Sequence, residues 1–164
     1  MSGFLLPVAC GCLALCALLI SRGYGVYLDR RIGQLRSLCE LIDHAERMIS
    51  QYLMSGGVMW ASFESPTLEE CGLMPLLREG VPLSLAIDRV KDRLIIDREI
   101  TERLISELSR LGKSYAKGEL QLLSSTSQWL SDALAAEESA RAASLTTVRA
   151  LLAGSTLGII IIFI

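Results

Sequence analysis

The residues of this chain best equipped for nucleophilic or metal chemistry are five cysteines, at positions 10, 12, 16, 39 and 71, and one histidine, His44. Thiolate chemistry needs a base or a cation beside the sulfur, and a zinc site needs about four Cys, His or acidic ligands at close spacing. No C-x-x-C occurs, and one histidine cannot build a histidine-based metal site. His44 lies among Asp43, Glu46 and Arg47, which reads as a solvated helix position. Cys10, Cys12 and Cys16 fall in a charge-free stretch, where an ion and its water are costly to hold. Cys12 and Cys16 share a helix face, as small packing residues do. Cys39 sits on an apolar helical stripe, and Cys71 stands beside Gly72. Gly112-Lys113-Ser114 has the ending of a phosphate-binding loop, but the motif's first glycine would be position 107, which is Glu107. The fragment reads better as a helix stop and restart. The pattern predicts no catalytic residue, no metal ligand and no cofactor. A thiol enzyme built on Cys39 or Cys71 would need an accessible thiolate, for which the sequence supplies no partner group.

A second kind of spacing concerns packing. Ala150, Gly154 and Gly158 are four residues apart and share one helix face. In apolar surroundings helices associate through close backbone approach at small residues. These three residues are a candidate helix-packing face, directed at Cys12 and Cys16 or at a partner subunit.

The elements that carry these residues follow from charge patterning. The chain has 16 Lys+Arg and 18 Asp+Glu, a net charge of −2, and 51% hydrophobic residues. No charged residue or histidine occurs in Gly3–Ile20 or in Ala150–Ile164. The charged fraction of the remainder is then about 26%, close to that of an ordinary soluble domain. This excludes a disordered chain and a nucleic-acid binder relying on a basic field. Each charge-free end reads as a membrane helix, with Arg149 snorkelling to the interface. A cleaved secretory or lipoprotein signal would need a basic n-region, and only Met1 and Ser2 precede the first apolar run. Arg22, Arg30, Arg31 and Arg36 follow the first apolar stretch, and Arg141 and Arg149 precede the second, which predicts a cytoplasmic middle with both termini outside. The expected domains are an N-terminal anchor at 1–21, a cytoplasmic helical bundle at 22–149 and a C-terminal transmembrane helix at 150–164.

The middle reads as helical throughout. Leu28, Ile32, Leu35, Cys39, Ile42, Ile49 and Leu53 are three or four residues apart, except for one longer step beside Ala45, and mark one face of a helix from about Tyr27 to Met54. This stripe suits a coiled-coil dimer or packing within the chain's own bundle. Ser55-Gly56-Gly57 stops it. Ser65-Pro66 has a helix-start signature, and Gly80-Val81-Pro82 marks a turn. Leu83, Ile87, Val90 and Leu94 form the next stripe. Asp97 can cap a helix striped by Ile100, Leu104, Ile105, Leu108 and Leu111, and Gly112 ends it. From Ser114 onward no proline occurs, so one long helix runs into the second apolar end. The fold class is all-α, with four or five helices in an antiparallel bundle flanked by N- and C-terminal transmembrane helices.

The order of these features resembles the stage III sporulation protein AB family of endospore-forming bacteria. The resemblance is carried by the basic helix RRIGQLRSLCELI at 30–42, by LLREGVPLSLAIDRV at 76–90, by ELSRLGKSYAKGELQLL at 107–123 and by the tail LLAGSTLGIIIIFI at 151–164. The chain departs from the family pattern at 45–65, where no proline occurs, and at Tyr115, where an aspartate is usual. The resemblance implies a non-enzymatic membrane subunit of a sporulation channel or secretion-like complex between mother cell and forespore. Its soluble domain would be similar to that of type II secretion inner-membrane platform proteins. The implied partners are a cytoplasmic ATPase and other membrane subunits of the same complex, with no nucleic acid and no small-molecule substrate. A membrane-anchored helical adaptor or signalling module is the alternative that the residues alone allow.

Overall fold

In a computed structural model the described residues are 5–52, 57–111 and 116–163, and all regular structure among them is helical. Seven α-helices are described: α1 (Leu5–Tyr52), α2 (Gly57–Ala61), α3 (Pro66–Glu70), α4 (Leu73–Arg78), α5 (Leu83–Val90), α6 (Arg98–Leu108) and α7 (Ala116–Phe163). A 3₁₀ turn, Lys91–Arg93, follows α5. The all-α class therefore holds. The chain divides into two compact units, one made of Arg30–Ala135 and the other of Met1–Asp29 with Ala136–Ile164.

The unit Arg30–Ala135 is built around α1. Its expected stripe is buried at Ile32, Leu35, Cys39, Ile42 and Ile49, and Leu53 lies outside the described residues. Gln34, Ser37, Leu38 and Leu41 are buried as well, which leaves Arg36, Glu40 and Asp43 as a narrow exposed line. A helix covered on so many sides is the centre of its own bundle, not one strand of a two-stranded coiled coil. The middle is cut more finely than four or five antiparallel helices. Between the two long helices the chain folds as α2, α3 and α4, each only five or six residues long, and then α5 and α6.

Local chemistry sets these short pieces. Ser65 caps α3 by accepting from the Leu68 amide at 3.4 Å, with Pro66 in the first helical position. At the end of α4, Gly80 adopts φ 84°, a region costly for any residue with a Cβ. The Gly80 amide donates to the Leu77 carbonyl and the Val81 amide to the Leu76 carbonyl, both at 3.0 Å. This pair of bonds is a Schellman closure, sealed by half-buried Val81 and Leu76 against the core. Pro82 then opens α5, whose Leu83, Ala86, Ile87 and Val90 face inward. Asp97 occupies the cap position of α6, but its side chain makes no capping bond and pairs instead with Arg31 on α1. The α6 helix ends at Leu108 through a Ser109 turn; Gly112 and Ser114, expected to stop and restart the chain, lie outside the described residues. So do Ser55 and Gly56. Leu123, Thr126 and Leu130 of α7 close the core.

In the other unit, α1 and α7 run antiparallel. Ser21 approaches Arg149 at 3.4 Å, a Cβ at Gly25 would meet Leu145 at 3.7 Å, and Asp29 pairs with Arg141 at 2.6 Å. Each step of four residues forward on α1 is four residues back on α7, so these contacts recur on one helix face.

The two-span membrane reading is corrected here. Among the described residues no helix is both long and apolar enough to cross a membrane. In α1 the apolar run ends at Ser21-Arg22, and in α7 it begins only after Arg149.

Candidate functional site

The residues with intrinsic reactivity are placed as structural groups. Cys39 is buried in the core, and burial, reinforced by the neighbouring Asp43 carboxylate, pushes its thiol up from 9.0 to about 11. Burial also raises Cys71, whose Sγ–H donates to the Leu68 carbonyl at 3.2 Å. Neither sulfur is poised as a thiolate at neutral pH. Cys12 and Cys16 are exposed on α1. Among the described residues no group of three His, Cys, Asp or Glu side chains converges as metal ligands would.

His44 differs from its expected solvated position. It is half-buried, with Nε2 at 3.1 Å from both the Met59 carbonyl and Ser62 Oγ. Because a carbonyl can only accept, Nε2 carries the proton and donates. The ring also packs on Phe63, centroids 5.2 Å apart. His44 thus ties α1 to the segment around α2. The signal that could have found this role is the cluster of aromatic and apolar residues from Met59 to Phe63, which needed something to pack on.

The α1–α7 pair carries the most distinctive surface. Leu15, Leu18, Leu19, Ile20, Val26 and Tyr27 of α1 and Leu151 of α7 are all exposed, Leu18 and Leu151 to 68% each. Scattered single apolar residues are ordinary on a surface, but a run of large ones on one helix marks a contact region. Ala150 and Gly154 are exposed on α7, Gly158 is half-buried, and a Cβ at Gly154 or Gly158 would meet nothing within 4 Å. Among the described residues nothing packs on Gly154 or Gly158, and Cys12 and Cys16 are themselves exposed. The glycine that does meet the opposing helix is Gly25, facing Leu145. Its signal in the sequence was Ser21 and Gly25, two small residues four apart.

A concavity lies between α5 and α6, with a volume of about 460 Å³. Leu94, Ile96 and Ile105 supply its apolar floor, and Asp88, Lys91, Asp92, Arg98 and Glu102 its charged rim. The connector that forms the floor is pinned by α1. Gln34, itself buried, accepts the Ile95 amide at 2.6 Å, and Arg31 holds Asp97.

No protein-family model, no curated protein and no solved structure matches the chain.

Proposed function

We propose that the chain is a non-enzymatic assembly subunit, a helical platform that joins partner proteins in a secretion-like complex such as the sporulation channel its sequence resembles. The observation that carries this reading is the row of large exposed apolar side chains on the α1–α7 pair, together with the small residues Ala150, Gly154 and Gly158 on α7. A surface of this kind gains most of its binding energy by burial against another apolar surface, about 25 cal/mol per Å². On this reading the row and the small-residue face pack against helices of other subunits of the complex. The helical unit Arg30–Ala135 is left to receive further partners, a cytoplasmic ATPase among them. The raised pKa values of Cys39 and Cys71 favour this role over a thiol-based enzyme.

Deleting the gene in its host and counting heat-resistant spores tests the reading, with complementation by the wild-type chain and by a Leu18→Glu, Leu151→Glu double variant. Loss of spores, restored by the wild type and not by the double variant, supports it. Full sporulation by the deletion strain refutes the sporulation role. Full rescue by the double variant refutes the assembly face.

A further inference from the structure

We infer that the concavity between α5 and α6 is a docking site for a peptide segment of a protein partner, one presenting an aliphatic side chain beside a lysine or arginine. The cleft lies wholly within the unit Arg30–Ala135 and shares no residue with the exposed row on the α1–α7 pair.

Its shape selects the kind of occupant. Small-molecule sites enclose most of their ligand's surface, and this cleft is open along one side. Its floor of Leu94, Ile96 and Ile105 has room for a side chain whose backbone lies across the rim. The floor does not collapse, because its connector is fixed from beneath by the Gln34 bond to the Ile95 amide and by the Arg31–Asp97 ion pair.

The rim selects the charge. Its two cations are already neutralised within the chain, Lys91 by Asp88 at 2.9 Å and Arg98 by Glu102 at 2.6 Å. Asp92 is the rim carboxylate that forms no salt bridge among the described residues. An incoming carboxylate would meet Asp88, Asp92 and Glu102 with both nearby cations engaged. An incoming lysine or arginine meets an available partner in Asp92. Exposed Leu85 lies one helical turn before Asp88 on α5 and offers a second apolar contact next to the rim. Rim charges of this sort set specificity and orientation, while the apolar anchor supplies affinity.

The experiment is selection of a displayed random dodecapeptide library on the full-length chain, followed by binding measurements with synthetic copies of the enriched peptides. The expected result is an aliphatic residue within a helical turn of a lysine or arginine, with binding weakened about tenfold or more by Ile96→Glu and by Asp92→Lys. Selection repeated on Asp92→Lys should enrich acidic residues in place of the basic ones. Asp92 is exposed in the 3₁₀ turn, so this variant keeps its fold even where Ile96→Glu disturbs it. Circular dichroism checks both. No enrichment, or enriched peptides whose binding and charge preference ignore Asp92→Lys, overturns the proposal. Neither outcome bears on the assembly face of the α1–α7 pair.

Discussion

Replacing Gln34 by methionine removes one acceptor from the core while nearly keeping its volume. Gln34 is 7% exposed, and its Oε1 accepts the Ile95 amide at 2.6 Å across 61 residues of sequence. Leaving a buried donor unsatisfied costs about 1–3 kcal/mol. Ile95 is half-buried, so water partly restores the bond, and the lower half of that range, about 1–2 kcal/mol, is expected. Both tryptophans of the chain, Trp60 and Trp129, lie in the same unit as Gln34, so their fluorescence in a urea titration reports this unit. The variant should unfold at lower urea with an unchanged slope, since the surface exposed on unfolding is the same. Hydrogen exchange at the Ile95 amide should accelerate by roughly tenfold. If the variant is as stable as the wild type to within about 0.5 kcal/mol and Ile95 exchanges no faster, α1 does not anchor the α5–α6 connector in this way.

Thiol labelling of the native chain at neutral pH should modify Cys12 and Cys16 and spare Cys39 and Cys71, with all five cysteines of the chain reacting in denaturant. Because Cys39 is raised from 9.0 to about 11, the unfolded state loses its proton first. Stability should be unaffected by this group below pH 9.0 and fall between pH 9.0 and about 11, a loss that Cys39→Ser, checked by the same titration, should reduce. Gly80→Ala should cost about 1–2 kcal/mol in thermal or urea unfolding, all from the backbone, since nothing lies within 4 Å of the added methyl. Gly25→Ala should be tolerated, because its Cβ would sit 3.7 Å from Leu145, an ordinary contact, whereas Gly25→Phe should part α1 from α7 and lower the melting temperature. Gly154→Leu should leave helicity unchanged by circular dichroism while reducing recovery of partner subunits in co-purification; unchanged recovery would remove that face from the assembly surface.

The helical class was legible because its cues are local. The buried Leu83, Ile87, Val90 and Leu94 are three or four residues apart, and Gly80 and Ser65 act on amides within five residues of themselves. What the sequence concealed is set by partners far along the chain. His44 looked solvated among charged neighbours because its acceptor, the Met59 carbonyl, is 15 residues away. Asp97 does stand at the cap position of α6, but nothing near it announces Arg31, 66 residues earlier, which takes its side chain. The apolar ends were read as two membrane helices from hydropathy alone, and among the described residues no helix is long and apolar enough to cross a membrane. At the candidate packing face the spacing of Ala150, Gly154 and Gly158 was visible, and the contact that forms within the chain belongs to Gly25. Gly25 was overlooked because its one cue, Ser21 four residues earlier, sits in the mixed segment SRGYGVY at 21–27, where no apolar period accompanies it.

The two kinds of residue on α1 have different consequences for the fold. Leu35, Leu38, Leu41 and Ile42 are wholly or almost wholly buried, and aliphatic residues of similar size could replace them with little loss of stability. The polar groups are not interchangeable. Gln34 reaches the Ile95 amide, Arg31 the Asp97 carboxylate, His44 the Met59 carbonyl and Asp43 the Ser127 hydroxyl. A slip of one residue along α1 turns each of these by about 100° and breaks it, while much of the apolar burial survives. These four contacts lie on α1 between Arg31 and His44 and reach three different parts of the chain. The apolar stripes thus account for why the unit is compact, and the polar contacts for why α6, α7 and the segment around α2 each take one place on it. The same division reaches the proposed docking cleft, whose apolar floor could attract many side chains but whose position is fixed by Gln34 and Arg31.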